Sequence, residues 1–233
     1  MKRFYSEVTV SAVNGGWQVM LDSRPIRTPR GAAQLVPSAA LAELLAGEWR
    51  AQDGEIDPRS LIFRDMADYA IDMVAPDPAS AVETLLRFAE TDTLCYRADP
   101  DDPLHRRQVE LWDPLLERCE TRHGVAFQRV SGIAHRPQPP ETLARLRALL
   151  EGGNSFELAA LLNMASLAAS LTVALAAIET DAMAEDLFTA ANCEEDWQAE
   201  QWGQDSEAQK RRAARLAGFV ASARFAAASR SRP

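Results

Sequence analysis

The residues most able to do chemistry in this sequence are carboxylates set among tryptophans near residue 200. Between Cys193 and Gly203 the chain places four carboxylates and two tryptophans: Glu194, Glu195, Asp196, Trp197, Glu200 and Trp202. A field of one sign attracts a partner of the opposite sign and repels a like one. Charge segregated in this way usually forms a solvated acidic face. The alternative interpretation is a docking surface for a basic or aggregation-prone protein partner, which the two tryptophans favour as anchors.

The charge pattern around this segment is sharply divided along the chain. Residues 148–209 contain twelve Asp and Glu but no Lys or Arg, whereas the net charge of the whole chain is -9. The sign then reverses at Lys210, Arg211, Arg212 and Arg215, which begin a basic segment. The acidic balance argues against a nucleic-acid partner, because phosphate binding requires Lys and Arg clustered on one face.

A helical projection at about 100° per residue gives the acidic segment an apolar face that is violated twice. The residues that share the core-facing arc are Leu187, Phe188, Ala191, Ala199 and Trp202. Glu195 and Gln198 fall inside that arc, whereas Trp197 points towards the charged side. A carboxylate buried without a partner is costly. Glu195 therefore either forms an ion pair with an arginine such as Arg64 or Arg97, or lies exposed as a partner-binding group.

Sequence patterns for cofactor, nucleotide and metal chemistry are absent. The chain has no glycine loop for phosphates, no nucleophile elbow and no HExxH pair. His105, His123 and His135 lie in different predicted elements without metal-ligand spacing. We therefore expect no cofactor, no metal, no nucleotide and no enzymatic activity. A hydrolase that uses Asp and Glu with His105 or His135 stays open as an alternative, although abundant carboxylates are not a specific signal.

The cysteines and the start of the chain indicate a cytoplasmic protein. Cys95, Cys119 and Cys193 are odd in number and widely spaced, which is typical of reduced, buried thiols rather than disulfides. The first residues, Met1 to Tyr5, lead into strand-like sequence without the apolar core of a signal peptide.

The elements that must position the acidic segment divide the chain into a short β-rich part and a long helical part. Alternation over Phe4–Val10 and Trp17–Leu21, around the turn at Asn14–Gly16, predicts a hairpin. Ser38 is an N-cap signal for a helix over residues 39–52. The further helices predicted are 58–74, 79–93, 103–122, 140–151, 155–178, 182–202 and 206–228. The fold class is therefore α+β, with a small β-rich N-terminal domain at residues 1–54 and a larger multihelical C-terminal domain at residues 55–233.

One predicted helix has the length of a membrane span but not its composition. Leu158–Ile178 is uncharged but rich in alanine, and Asn163, Ser166 and Ser170 share one helical face. A helix that is apolar nearly all round, with a thin polar stripe, is typical of the centre of a helical bundle. We therefore expect no membrane insertion.

Several short motifs occur in a fixed order between residues 4 and 215. They are Gly16-Trp17 with Leu21-Asp22, Arg24 to Pro29, Glu48 to Gln52, Thr91 to Ala98, Gln108 with Trp112 to Leu115, and Glu194 to Gln198 with Trp202-Gly203. In this order they resemble the assembly chaperone family of F-type ATP synthase that binds the alpha subunit of the catalytic sector. Trp197 stands where that family usually has Tyr, and residues 165–170 are richer in alanine than its glycine-containing pattern.

The resemblance implies a non-enzymatic function and a partner. A member of this family holds the unassembled alpha subunit, prevents its aggregation, and is displaced by the beta subunit. It also implies an acidic site in the C-terminal helical domain, with Glu194, Glu195 and Asp196 at the matching positions. The predicted partner-binding residues are Glu194, Glu195, Asp196, Trp197, Gln198 and Trp202. A bacterial, cytoplasmic protein is expected, and an acidic adaptor for many basic proteins is the alternative function.

Overall fold

A computed structural model describes residues 1–132, 134–179, 182–203 and 205–230, which form two compact units. One unit contains Met1–Ser80, Asn154–Ala160 and the described part of Arg224–Pro233. The other contains Ala81–Gly153 and the described part of Leu161–Ala223. The predicted α+β class is confirmed, with a small N-terminal sheet and a larger multihelical part. The domain boundary after residue 54 stays a prediction.

The strands of the described residues form two small sheets. Their bounds are β1 (Val8–Val13), β2 (Gly16–Leu21), β3 (Arg24–Pro25), β4 (Tyr96–Arg97) and β5 (Val130–Ser131). β1, β2 and β3 pair antiparallel in that order, whereas β4 and β5 pair in parallel. In β1 and β2, Val8 lies opposite Leu21 and Val10 opposite Val19, so the predicted hairpin is confirmed.

Helices account for most of the remaining chain. Their bounds are α1 (Ala39–Arg50), α2 (Ile62–Tyr69), α3 (Pro78–Glu90), α4 (Pro103–His123), α5 (Pro140–Glu151), α6 (Ser155–Ala168), α7 (Leu171–Ala177), α8 (Ala184–Ala191), α9 (Cys193–Trp202) and α10 (Ser206–Arg230). Short 3-10 turns cover Pro58–Ser60 and Thr93–Cys95, and a π-helical turn at Ala70–Val74 continues α2. No helix of the described residues combines the length and apolarity that a bilayer crossing requires.

The glycine at position 16 is explained by a close approach of two backbone segments. Trp17 and Val36 exchange backbone hydrogen bonds of 2.9 Å in both directions. Gly16 has φ 152°, and a Cβ atom there would lie 2.5 Å from the Val36 carbonyl oxygen. Only a residue without Cβ fits this approach, so the Gly16-Trp17 motif has a structural cause.

The N-termini of α1 and α2 are each capped by a side chain, a hydroxyl at α1 and a carboxylate at α2. Ser38 caps α1 as predicted, because its Oγ accepts a hydrogen bond of 3.0 Å from the Leu41 amide. The first turn of α2 is capped by Glu48 rather than by Leu61, the residue that precedes the helix. The Glu48 carboxylate accepts hydrogen bonds from the amides of Phe63 at 2.7 Å and Arg64 at 3.0 Å. Burial raises the pKa of the Glu48 carboxyl to about 7. The single helix predicted over 58–74 is therefore wrong at its start, where a 3-10 turn precedes the capped helix.

The long helix predicted over 155–178 is two helices in the structure. Ala169 adopts φ 49°, and Ser170 caps α7 through a hydrogen bond of 3.0 Å from the Val173 amide. Asp92 fixes this break, because its buried carboxylate accepts from the Thr172 amide at 2.9 Å. The break is thus held by the local Ser170 cap and by a residue about eighty positions earlier in the chain.

The helix predicted over 182–202 is also interrupted. Asn192, at φ -100° and ψ 20°, ends α8 and precedes α9. Its amide group donates a hydrogen bond of 2.7 Å to the Phe188 carbonyl, and its Oδ1 accepts one of 2.7 Å from Arg215. The helical phase that Leu187 and Phe188 establish therefore does not continue into α9.

Candidate functional site

The four carboxylates of α9 are each hydrogen-bonded within this chain. The pairs are Glu194 Oε1 with Gln108 Nε2 at 2.6 Å, Glu195 Oε2 with Arg215 Nη1 at 3.0 Å, Asp196 Oδ2 with Arg212 Nη2 at 2.7 Å, and Glu200 Oε2 with Arg107 Nη1 at 2.7 Å. Three of these donors are arginines, and two of those come from α10. The acidic helix is therefore a self-paired surface rather than a bare field of negative charge.

Glu195 has a different partner from those expected. Arg97 pairs with Asp113 at 2.7 Å and Arg64 pairs with carboxylates of its own helix, so both predicted partners were wrong. Glu195 pairs with Arg215, and their side chains are 43% and 38% exposed. Glu195 and Arg215 thus form an ion pair at the surface rather than in the interior. The hypothesis that Glu195 binds a partner stays a prediction.

The two arginines of α10 are held to different extents. Arg215 donates to Glu195 at 3.0 Å, to Asn192 Oδ1 at 2.7 Å and to the Leu167 carbonyl at 3.0 Å. Within the described residues Arg212 has one hydrogen bond, to Asp196, and its Nε is buried without an acceptor. Both guanidinium groups also lie over the Phe188 ring, at 5.8 Å from its centroid for Arg212 and 5.6 Å for Arg215. The two arginines therefore differ in their hydrogen bonds: Arg215 is an anchor with three acceptors, whereas Arg212 has one.

The structure contradicts the prediction for one of the two tryptophans of α9. Trp202, expected in the core, is 81% exposed. Trp197, expected on the charged side, is half-buried; the Arg107 guanidinium, which pairs with Glu200, lies 5.8 Å from its ring centroid. The prediction for Trp202 was wrong because it extended the phase of α8 through Asn192, where the structure breaks the helix.

A groove of about 250 Å³ lies between α9 and the start of α10. Its lining surface is mostly apolar and includes three carboxylates. The lining residues are Glu195, Asp196, Gln198, Ala199, Trp202, Gly203, Asp205, Ala208, Gln209 and Arg212. Four of the six predicted partner-binding residues lie here, namely Glu195, Asp196, Gln198 and Trp202. Glu194 and Trp197 do not line it. Sequence reasoning missed Asp205 and Arg212; the reversal of charge near Lys210 was the available signal.

Of the two histidines named for the hydrolase alternative, His105 lines another cleft, whereas His135 does not line it and lies 3.2 Å from the Tyr96 hydroxyl. The cleft measures about 260 Å³, and a carboxylate and a hydroxyl, those of Asp113 and Ser131, line it with His105, Arg97 and Arg129. The Asp113 carboxylate accepts from Arg97 at 2.7 Å and lies 3.7 Å from Arg129. The hydrogen bonds of the described residues do not join His105, Asp113 and Ser131 to one another, although nucleophile, base and orienting acid need such bonds. This geometry gives the hydrolase alternative no support.

The three cysteines are buried thiols without disulfide partners. Cys95, Cys119 and Cys193 are free and buried, and burial raises the pKa of each thiol to about 12. The prediction of buried, unpaired thiols is confirmed. In the parts of the chain that the structure describes, no three His, Cys, Asp or Glu side chains are grouped as metal ligands.

Known proteins are similar to this chain in both sequence and fold. A family model described as ATP12 chaperone protein matches residues 2–120. "Protein atp12, mitochondrial" of Schizosaccharomyces pombe is 29% identical over an alignment of 215 residues that covers 87% of this chain and 74% of that protein. The crystal structure of Atp12 from Paracoccus denitrificans superposes with a TM-score of 0.93 at 37% identity and covers 98% of both chains. The Atu1473 protein of Agrobacterium tumefaciens gives a TM-score of 0.93 at 40% identity, over 99% of this chain and 86% of that one.

These matches show that the protein is a molecular chaperone. The chain belongs to the ATP12 family of ATP synthase assembly chaperones. The resemblance inferred from the ordered motifs is thereby confirmed. The family model ends before α9, whereas the structural superposition extends over nearly the whole chain.

Proposed function

We propose that this chain binds the unassembled alpha subunit of the ATP synthase catalytic sector and keeps it soluble until the beta subunit takes its place. Membership of the ATP12 family supports the role, and one observation supports the site. Trp202 is 81% exposed at the edge of a groove with acidic residues. Trp residues beside concave surfaces are frequent anchors of protein interfaces.

The groove divides the predicted site residues into two groups. Glu195, Asp196, Gln198 and Trp202 line it and contact the partner in this proposal. Glu194 holds α9 in place, because it accepts a hydrogen bond from the fully buried Gln108. The other side-chain atom of Gln108 accepts from the Ala98 amide at 2.8 Å, so the connection continues into the interior.

The same site explains both holding and release. A chaperone that binds an unassembled subunit lowers the concentration available for aggregation by mass action. It must also let the subunit go to its final partner. A charged interface with one or two aromatic anchors gives recognition with a shorter lifetime than a large apolar interface. Displacement then needs only a competitor that binds the alpha subunit more tightly, which the beta subunit provides in the assembled enzyme.

The experiment is co-expression of the alpha subunit alone with this chain and measurement of its soluble fraction. The wild-type chain is expected to keep the alpha subunit soluble. Trp202→Ala is expected to weaken association by about 2 kcal/mol or more, as loss of an interface anchor does. Since Trp202 is exposed, the melting temperature of this variant should stay close to wild type.

The matched control is Met183→Ala, which removes another exposed apolar side chain, 62% exposed, outside the groove lining. This variant is expected to protect the alpha subunit as well as wild type. An alpha subunit that is equally insoluble with and without the chain would overturn the proposed function. Equal protection by wild type and Trp202→Ala would remove the groove from the site.

A further inference from the structure

We propose that the groove between α9 and α10 receives one arginine side chain of the partner, and that this side chain takes Asp196 over from Arg212. Arg212 is thus an internal competitor for the site. The inference rests on the proposed function and names the chemistry by which the groove recognises the alpha subunit. It is carried by the unequal attachment of the two α10 arginines and by the composition of the groove.

Arg212 is placed so that it can exchange. Its ion pair with Asp196 lies at the groove, where the two side chains are 26% and 23% exposed. The described residues give it one hydrogen bond, whereas Arg215 has three. Loss of the Arg212 contact therefore leaves Glu195, Asn192 and Leu167 connected to α10 through Arg215. The groove can open at one end without disrupting the helix pair.

The charge of the groove selects a basic occupant. Its lining has three carboxylates, those of Glu195, Asp196 and Asp205, and one guanidinium, that of Arg212. Arg212 pairs with Asp196, and Arg215 pairs with Glu195 from outside the lining, so the excess negative charge is that of Asp205. This excess attracts a cation and repels an acidic or phosphorylated group. Asp196 becomes available to the arriving cation only when Arg212 releases it, so the occupant exchanges with Arg212.

The walls of the groove select arginine among the basic side chains. Trp202, Ala199 and Ala208 provide apolar surface that a methylene stem can cover. A guanidinium stacks on an indole ring and is more weakly hydrated than an ammonium, so it loses less on entering. The volume of about 250 Å³ is below the roughly 300–1,000 Å³ typical of small-molecule pockets. It suits one side chain rather than a cofactor.

Exchange has a measurable consequence for affinity. When the arriving arginine replaces Arg212, one ion pair forms and one is lost, so the net gain is small. Removing the charge of Arg212 leaves Asp196 free for the newcomer. An ion pair of this exposure is worth up to about 1 kcal/mol, so the variant should bind about two- to fivefold more tightly.

The test uses the full-length chain and two small probes, N-acetyl-arginine amide and its uncharged isostere N-acetyl-citrulline amide. The indole N–H signal of Trp202 is followed by ¹H–¹⁵N NMR and assigned with Trp202→Phe. The arginine probe is expected to shift this signal at millimolar concentration, while the citrulline probe leaves it in place. The buried Trp112 indole, which donates to the Ala190 carbonyl at 2.7 Å, is the internal reference.

Arg212→Gln is expected to lower the dissociation constant of the arginine probe about two- to fivefold. The matched control is Arg147→Gln, which removes an exposed arginine paired with Glu83 in the same unit and should leave binding unchanged. Weaker or unchanged binding by a folded Arg212→Gln would overturn the exchange. The comparison of the two probes on the wild-type chain needs no variant, and equal shifts by both probes would overturn the arginine site.

The probe titration also separates this inference from the proposed function. If arginine is preferred as expected but the alpha subunit stays insoluble, the proposed function fails and the groove chemistry stands. If the alpha subunit is protected but the probes are not distinguished, the groove chemistry fails and the proposed function stands.

Discussion

Asp92 and Thr172 are joined by a hydrogen bond of 2.9 Å between a fully buried carboxylate and the backbone amide in the first turn of α7. The same carboxylate accepts from the Leu94 amide at 3.1 Å. One side chain therefore caps the 3-10 turn Thr93–Cys95, which follows α3, and binds the first turn of α7. This contact explains why Asp92 belongs to the Thr91 to Ala98 motif.

Replacement of Asp92 by alanine should lower the free energy of unfolding by about 3 kcal/mol or more, because two buried amides lose their acceptor. Denaturant unfolding followed by circular dichroism measures this. Asp92→Asn retains one acceptor oxygen and should cost clearly less than alanine. Equal losses in the two variants would show that the acceptor is not what matters at this position.

Gly16→Ala should destabilise the first unit more than Gly31→Ala. Both glycines have positive φ, so each substitution incurs backbone strain of about 1–2 kcal/mol. Only at position 16 would the added Cβ meet the Val36 carbonyl oxygen, whereas nothing lies within 4 Å at position 31. The difference between the two unfolding free energies therefore measures the close approach. Equal values would contradict it.

The fold was predictable wherever the signal is local. The hairpin follows from alternation around Asn14–Gly16, and the start of α1 follows from Ser38. The breaks at Ala169 and Asn192 were missed because neither position carries Gly or Pro, and Ser170 was assigned to a polar stripe rather than to an N-cap. Side chains distant in sequence also contact both breaks, the carboxylate of Asp92 and the guanidinium of Arg215.

The site was predictable to the same extent. Residue types identified the segment that forms α9 as the candidate site, and the helical projection then assigned Trp202 to the wrong environment. The cause is a change of helical phase at Asn192 rather than a misjudged residue type. The groove itself requires Asp205 and Arg212 from beyond α9, and only tertiary structure brings those residues together with Asp196.

The two arginines of α10 should differ in their effect on stability. Arg215→Ala removes three hydrogen bonds, one of them to a backbone carbonyl, and should cost about 2–3 kcal/mol. Arg212→Ala removes one partly exposed ion pair and should cost about 1 kcal/mol or less. Thermal and denaturant unfolding of both variants decide this. A larger loss for Arg212→Ala would contradict the distinction between an anchor and an exchangeable group.

Stability should depend on pH through Glu48. Burial raises the pKa of this carboxyl from 4.5 to about 7, so the folded chain binds its proton more tightly than the unfolded chain. Its contribution to stability is complete below about pH 4.5 and is lost as the pH rises towards 7. The difference in unfolding free energy between wild type and Glu48→Gln should therefore decline between about pH 4.5 and 7 and level off above.

The control for Glu48 is Glu43→Gln, on the same helix at an exposed ion pair with Arg50. This variant measures how the loss of an exposed, ion-paired glutamate of the same helix changes the unfolding free energy over the same pH window. A flat difference curve for Glu48→Gln would contradict the shifted pKa.

The three thiols should be almost inert in the folded protein. Burial raises the pKa of Cys95, Cys119 and Cys193 to about 12, so at pH 8 only about one in ten thousand of each is a thiolate. Reaction with a disulfide reagent should be slow in native buffer and rapid in guanidinium chloride. Fast labelling of any one thiol under native conditions would show that its site opens readily.

The first unit also has a consequence for synthesis on the ribosome. The Ser38 hydroxyl donates a hydrogen bond to the Ala228 carbonyl, and Arg230 forms an ion pair with Glu157. The rings of Phe225 and Phe156 pack with their centroids 6.2 Å apart. The strands and α1 leave the ribosome long before residues 224–230, which supply contacts that complete their unit. The growing chain of this chaperone is therefore itself an incompletely folded protein until those residues have been synthesised.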